Sequence, residues 1–266
     1  MSYNLLTGLV SYWKLDGNSN DSVASNNGTD TSITYSAGNG KIVQGAGFVA
    51  GNSSKIAKTS TGLPTGTTFS FQVWWKGSAP VGDGIFGWGD GGAGTKRSLL
   101  IVAGNAYFGG NSADLDSATA INDGSWHHIV ITCDAGSMII YVDGTNVKTG
   151  SPSLNATSQV TRFGCRTGDS SFVTGAIDEV GVWSSVLSPT DVTNLYNSGA
   201  GLAFSSFFYV ECSENQDATS TDAISSIGYN PTISEVTDSP AETLNSSYGW
   251  GNLSKSTTTW TNTTKS

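Results

Sequence analysis

A run of six residues near the amino terminus, DGNSND at 16–21, is dense in side-chain oxygen atoms. Its donors are Asp16, Asn18, Asn20 and Asp21. Calcium prefers about six to eight oxygen ligands, and closely spaced aspartates, asparagines and backbone carbonyls supply such ligands. We therefore predict a calcium site at this loop. The alternative is a turn in which the same side chains accept hydrogen bonds from nearby backbone amides.

A second candidate for chemistry is Trp88, which lies in the glycine-rich segment IFGWGDGGAGTKR. Glycan-binding sites combine an exposed aromatic ring with a few well-placed polar groups. The surrounding glycines indicate a loop that would expose the ring. The polar contacts are predicted from Asp90, Arg97, Asn111 and Asp114. The alternative is that Trp88 packs against the edge of a folded domain.

The constellations that hydrolytic enzymes use are missing from the sequence. The two histidines, His127 and His128, are adjacent, so in a strand they point to opposite faces and cannot act as a pair. Asp178 and Glu179 are adjacent too, whereas glycoside hydrolysis needs two carboxylates that flank the scissile bond. A G-x-S-x-G nucleophile motif is also missing. We therefore predict a binding protein without catalytic activity.

Composition narrows the class of partner. Only 12% of the 266 residues are charged, and the formal net charge is −9. Nucleic-acid binding needs clustered lysine and arginine, and no apolar run approaches the ~18 residues that would cross a bilayer. The three cysteines are too widely spaced for a thiolate zinc site. We expect no nucleic-acid partner and no membrane insertion.

Short strand patterns recur along the chain. In the segment FSFQVWW, the side chains of Phe69, Phe71, Val73 and Trp75 share one face because alternate residues of a strand point the same way. Similar runs occur at 99–102, 126–133, 138–142 and 176–183. The dipeptide Asp143-Gly144 is a strong signal for a two-residue hairpin turn. Closely spaced strands without intervening helical patterns indicate a sandwich or jelly roll.

One short helix is marked after these strands. Ser188 is a favoured N-cap residue, Pro189 suits the first turn, and Val192 and Leu195 begin an apolar stripe. Gly199 is expected to end the helix. Together the patterns predict an all-β fold, a two-sheet antiparallel jelly-roll sandwich with one short helix at its C-terminal end.

Three blocks of sequence resemble the laminin-G-like and concanavalin A-like lectin jelly-roll domains. They are GLVSYWKLDGNSNDSVASNNGT at 8–29, DGSWHHIVITCDAGSMIIYVDG at 123–144 and GAIDEVGVWSSVLSPTDVTNLYNSG at 175–199. The resemblance implies two antiparallel sheets and a role in binding glycans, proteins or cell surfaces. It also implies one calcium ion near loop 16–21, with Asp178 nearby.

The amino-acid composition of the chain changes near residue 204. Residues 205–266 contain seven acidic residues and two lysines, are rich in Ser, Thr and Asn, and retain several aromatic residues. We predict a jelly-roll domain over residues 1–204, followed by an extended docking or assembly segment over 205–266.

These features favour a binding protein exposed on a phage virion, with a decoration or host-attachment role. No leader-like pattern opens the chain, which supports the virion surface as its location. The expected partners are a cell-surface glycan or protein, together with other virion subunits bound through residues 205–266. A homo-oligomer is compatible with the sequence. The alternative is a secreted, extracellular bacterial lectin or carbohydrate-binding module, and a concanavalin-like glycoside hydrolase is disfavoured.

Overall fold

The computed structural model describes residues 3–78, 83–89, 91–155 and 157–209. The predicted ligand residue Asp90, and the predicted docking segment from residue 210 onward, lie outside the described residues. The strands, numbered in chain order, are β1 Tyr3–Asn4, β2 Leu9–Trp13, β3 Thr29–Thr31, β4 Thr34–Ser36, β5 Gly45–Phe48, β6 Lys55–Thr59, β7 Phe69–Gly77, β8 Asp83–Trp88, β9 Arg97–Val102, β10 Asn105–Gly109, β11 Leu115–Ala120, β12 Trp126–Asp134, β13 Ser137–Val142, β14 Thr145–Gly150, β15 Val160–Phe163, β16 Gly175–Trp183 and β17 Phe208–Tyr209. Helix α1 is Pro189–Tyr196, and 3₁₀ turns occur at Ala37–Asn39, Ala50–Asn52, Asn197–Gly199 and Phe204–Ser206.

Two large antiparallel sheets form a sandwich. The first has the strand order β11-β10-β9-β8-β15-β6-β3. The second has the order β14-β13-β12-β7-β16-β5-β4, and β2 pairs with β16 beside it. Neighbours such as β7 and β16 are far apart in sequence, as expected of a jelly roll. The predicted all-β antiparallel sandwich is confirmed.

Strand β7 shows how the apolar pattern builds both layers of packing. Phe69, Phe71, Val73 and Trp75 are fully buried between the two sheets, as the predicted alternation requires. The residues between them are buried as well: Ser70, Gln72 and Trp74. The outer face of this sheet is covered by helix α1 and by the chain that follows it, where a second apolar cluster includes Leu195. Strand β7, which has a regular apolar alternation, is therefore buried on both of its faces.

Helix α1 has the predicted beginning and an earlier end. The Ser188 side chain accepts a hydrogen bond from the Asp191 amide, and the Asp191 carboxylate accepts one from the Ser188 amide. The α-helix ends at Tyr196, and Asn197 follows in the left-handed conformation. The helix can end there because Asn, like Gly, tolerates the left-handed conformation. Gly199 instead closes the 3₁₀ turn that follows. Among the described residues, no helix is long and apolar enough to cross a membrane.

The capping box allows a first prediction. Replacing Ser188 with Ala leaves the Asp191 amide without its acceptor, so we expect the free energy of unfolding to fall by about 1 kcal/mol. Urea denaturation of the purified protein measures this loss. A Thr190→Ala variant at the neighbouring exposed position serves as the control. An equal loss in both variants would contradict the assigned role of the cap.

The first domain continues past residue 204. Phe207 is buried, and its ring contacts Tyr12 edge-on with 4.9 Å between the ring centroids. Strand β17 then pairs with β1, so the chain returns to the amino-terminal end of the domain. The described structure thus continues to Tyr209, and Phe207 belongs to its apolar core.

Candidate functional site

Trp88 is a core residue, and the prediction that it is exposed was wrong. Its side chain is fully buried between the sheets, where it meets Phe69 and Phe71 edge-on. The indole Nε1 donates a hydrogen bond to the Pro64 carbonyl at 2.9 Å. The glycines around it indicated a loop, but Gly87 lies inside strand β8. No part of this ring is available to a ligand.

Arg97 is also buried, so its prediction as a ligand contact was wrong. The guanidinium donates hydrogen bonds to four backbone carbonyls at 2.8–3.1 Å, those of Gly66, Gly94, Lys96 and Asn155. Burial lowers the pKa of this guanidinium. Arg97 therefore joins three separate chain segments and acts as a structural cross-link.

Asn111 and Asp114 lie in the loop between β10 and β11. The Asn111 side chain donates hydrogen bonds to the carbonyls of Gly91 and Gly92, which ties this loop to the preceding glycine-rich segment. Asp114 accepts a hydrogen bond from the Gly110 amide at 2.8 Å and is exposed. The structure therefore does not bring the described ligand-binding residues of the sequence prediction together into one open site.

The predicted metal loop divides into two parts. Asp16, Asn18 and Asn20 line one cavity of about 240 Å³. Asp16 accepts a hydrogen bond from the Gln44 amide at 3.0 Å. Asp21 does not join them, because its oxygens accept hydrogen bonds from three backbone amides, those of Tyr12, Val23 and Asn26. For Asp21 the hydrogen-bonded turn is therefore the correct interpretation.

Asp178 is a buried carboxyl beside this loop. One oxygen, Oδ2, accepts hydrogen bonds from the amides of Lys41 and Ile42 at 2.8 and 2.9 Å. The other, Oδ1, is buried and has no hydrogen-bond partner. Burial, together with the nearby charge of Asp16, raises the pKa of Asp178 to about 8. One oxygen of the Asp178 carboxyl thus lacks a hydrogen bond of normal geometry.

The backbone around Asp16 and Asp178 is strained. Leu15, Val43 and Glu179 all adopt positive φ angles of 49–60°, which residues other than glycine seldom do. They flank or contact the segments that hold Asp16 and Asp178. Such strain is often found at functional sites. Within the described residues, however, no group of three or more His, Cys, Asp or Glu side chains is placed to hold a metal, so a cation here depends on two carboxylates and neutral oxygens.

The two histidines have separate structural roles. The His128 Nε2 donates to Gln72, the Gln72 amide donates to the Tyr12 hydroxyl, and that hydroxyl donates to Glu179. Burial lowers the pKa of His128 to about 3, so it is neutral. His127 points the other way and contacts two carboxylates, those of Asp123 and Asp143. As predicted, the two imidazole rings lie on opposite faces of strand β12 and have separate partners.

A surface groove at one end of the second sheet was not predicted from the sequence. Its volume is about 380 Å³. It lies where β5, β7 and β16 run side by side, with Gly175 paired both to Phe48 and to Gly77. Its polar lining residues are Thr34, Asn39, Lys76, Ser78 and Thr174. The rest of its lining is Gly47, Phe48, Val49, Gly77, Gly124, Gly175 and Ala176. We call this feature the end groove.

The end groove could not be predicted from the sequence because its residues are distant from one another along the chain. Strand register alone brings Gly47, Gly77 and Gly175 to the same end of the sheet. The one signal in the sequence was a glycine at the end of each strand pattern. Without the register, such glycines are indistinguishable from ordinary turn residues.

Comparisons with known proteins agree with this architecture. A family model described as the concanavalin A-like lectin/glucanases superfamily matches residues 50–193. A comparison with curated protein sequences finds no significant match. Among solved structures, domain 4 of an extracellular arabinanase from Geobacillus stearothermophilus, in complex with arabinotriose, is 22% identical with a TM-score of 0.59. That match covers 70% of this chain and 97% of the arabinanase domain.

Two toxin binding domains are similar in fold as well. The binding domain of Paraclostridial Mosquitocidal Protein 1 is 16% identical with a TM-score of 0.57, and the match covers 72% of this chain and 52% of that one. A structure of botulinum neurotoxin type C, whose cell entry depends on two ganglioside molecules, is 15% identical with a TM-score of 0.57. That match covers 72% of this chain and 51% of the toxin chain, so this protein spans about half of each toxin structure.

Proposed function

Because the chain belongs to the concanavalin A-like lectin/glucanases superfamily, whose model matches more than half of it, we propose that it is a non-catalytic glycan-binding domain. The end groove is the observation that carries this proposal, because it is open to solvent and its polar lining includes Thr34, Asn39, Ser78 and Thr174 beside Lys76. The fold relatives include domains whose structures concern arabinotriose and gangliosides, which supports the class of ligand.

The chemistry of the end groove suits a sugar ring. Its volume falls within the range of about 300–1,000 Å³ that is common for small-molecule sites. Val49 is 45% exposed and provides an apolar contact for the C–H face of a sugar. The hydroxyl groups of Thr34 and Thr174 and the amide of Asn39 can exchange hydrogen bonds with sugar hydroxyls.

The absence of acid from the end groove supports a binding role. None of the described residues that line the groove is Asp or Glu. Hydrolysis of a glycosidic bond requires a pair of carboxylates on the two sides of that bond. The buried Asp178 and Glu179 cannot form such a pair, because Asp178 faces the Lys41 amide and Glu179 faces the Tyr12 hydroxyl.

A matched pair of valine variants tests the end groove. We expect a glycan array to identify a saccharide that binds, and Val49→Asn to weaken that binding about tenfold by removing an apolar contact worth about 1.5 kcal/mol. Val186→Asn is the control, because Val186 is 39% exposed and lies outside the groove. Calorimetric titration measures both affinities. Equal affinities for the two variants would contradict a site in the end groove.

We also propose that Asp16 and Asp178 hold one calcium ion, with Asn18 as a neutral ligand. The unpartnered Oδ1 of Asp178 and the nearby Asp16 carboxylate fit a divalent cation. Bound calcium would offset their mutual repulsion and fix the loop at residues 16–21 against β16. The calcium would therefore be structural and would lie apart from the end groove.

The wider biological setting stays a prediction from the sequence. A location on a virion surface, an alternative extracellular location and homo-oligomer formation rest on composition and resemblance alone. The proposed docking role of residues 205–266 concerns a segment that lies almost wholly outside the described residues.

A further inference from the structure

We infer that the end groove selects saccharides that carry a carboxylate, with Lys76 as the cation that recognises it. This inference rests on the proposed function of the groove as a glycan site. It goes further by naming the chemical class of the ligand and the residue that determines it.

Among the described residues that line the end groove, Lys76 is the only one with a charge. It follows Trp75 in strand β7, and its side chain points away from the core, opposite to Trp75. The ammonium group donates one hydrogen bond to the Gly38 carbonyl at 3.1 Å and lies 5.3 Å from the centre of the Trp126 ring. An ammonium group has three donors, so these contacts position the charge and leave donors for a ligand.

Lys76 lacks a carboxylate partner within 4 Å in the part of the chain that the structure describes. Among the described residues, Lys14 and Lys55 are the lysines that lie within 4 Å of a carboxylate. A cation without a partner, held at the wall of a groove, gives that groove a local positive field despite the negative net charge.

The acid nearest to the groove in sequence is directed elsewhere. Asp123 precedes the lining residue Gly124, but its Oδ1 accepts hydrogen bonds from the Ser125 amide and the His127 ring. These contacts lower the pKa of Asp123, and contacts with Asp143 and Asp123 raise the pKa of His127. The Asp123 carboxylate is therefore engaged by Ser125 and His127 and makes no ion pair with Lys76.

The groove thus offers three complementary contacts. Lys76 supplies a charge-assisted hydrogen bond, which is stronger than a bond between neutral groups. Asn39 and Thr174 supply neutral polar contacts, and Val49 supplies an apolar one. An acidic monosaccharide unit has a carboxylate, hydroxyls and an apolar ring face, and it meets all three. A neutral sugar leaves the ammonium group without a partner.

Matched saccharides test the selectivity. The probes are 3′-sialyllactose against lactose, and trigalacturonic acid against its methyl ester. We expect calorimetry to show at least about tenfold tighter binding for the charged member of one pair, with an affinity that falls as salt increases. Lys76→Met keeps the alkyl chain over Trp126 and should abolish this preference, whereas Lys76→Arg should retain it. Lys148→Met, an exposed lysine on β14, is the control and should change nothing.

Each outcome separates this inference from the proposed function. If neutral and charged saccharides bind equally, or if Lys76→Met weakens both equally, while Val49→Asn still weakens binding, the groove is a glycan site and the inferred selectivity is wrong. If no saccharide on the array or in the matched pairs binds the folded protein, the proposed function fails as well. Unchanged melting temperatures for the Lys76 variants show that any loss of binding comes from the removed charge.

Discussion

In calcium-free buffer, the contribution of Asp178 to the free energy of unfolding should fall by about 5 kcal/mol between pH 4 and pH 8. The pKa of Asp178 is about 8 in the folded protein, and an aspartate in an unfolded chain has a pKa of about 3.9. Between these values the folded state binds the extra proton. Stability from this group is therefore complete below about pH 4 and is lost as the pH rises through 8.

Asp178→Asn isolates this effect. The amide keeps an oxygen for the Lys41 and Ile42 amides and imitates the protonated acid, but it does not titrate. We expect the variant to match the natural protein near pH 4 and to be more stable at pH 8. Urea denaturation at several pH values, in EGTA, measures the difference. Asp134→Asn, which changes an exposed acid at the end of β12, is the control. A difference in the free energy of unfolding between the natural protein and Asp178→Asn that stays constant across this pH range would contradict a raised pKa for the buried Asp178.

Added calcium should counteract the loss of stability that is expected as the pH rises. Because the ion requires an ionised ligand, added calcium should raise the melting temperature of the natural protein more at pH 8 than at pH 5.5, and should not affect Asp178→Asn. Equal melting temperatures in calcium and in EGTA at both pH values would refute the calcium site. The pH dependence in EGTA would still stand, since it depends only on burial.

Arg97→Met should lower the free energy of unfolding by about 3 to 5 kcal/mol. Methionine fills much of the space but donates no hydrogen bond, so carbonyls such as those of Gly66 and Asn155 lose their donor. Each buried polar group without a partner costs about 1–3 kcal/mol. Arg97 also holds three segments together, so the loss includes their ordering.

Arg162→Met provides the comparison for this prediction. Arg162 pairs with Asp169 near the surface, where an ion pair contributes about 1 kcal/mol or less. Urea denaturation followed by tryptophan fluorescence measures both variants. A loss below about 1 kcal/mol for Arg97→Met would mean that water or neighbouring donors replace the guanidinium.

Local features of the fold could be predicted from the sequence because they depend on neighbouring residues. The Asp143-Gly144 turn is an example, since both residues adopt positive φ and strands β13 and β14 pair on either side of it. The capping box at Ser188 is another. Such signals need only the residue types and their spacing.

Burial and register could not be predicted in this way. The glycines around Trp88 indicated an exposed loop, but the strand on which it lies is at the centre of a sheet. The end groove requires Thr34, Lys76 and Thr174 to converge, and only the pairing of distant strands brings them together. At the acidic site, the resemblance implied Asp178, but its unpartnered oxygen is visible only in the structure.

The most direct test of the account is to locate a bound saccharide by NMR. The protein labelled with nitrogen-15 is titrated with the saccharide that binds most tightly on the array. We expect chemical-shift changes that saturate and concentrate at the amides of Gly47, Lys76, Thr174 and Gly175. Changes centred instead around Asp114 on the other sheet, or no changes with any saccharide, would contradict a glycan site in the end groove.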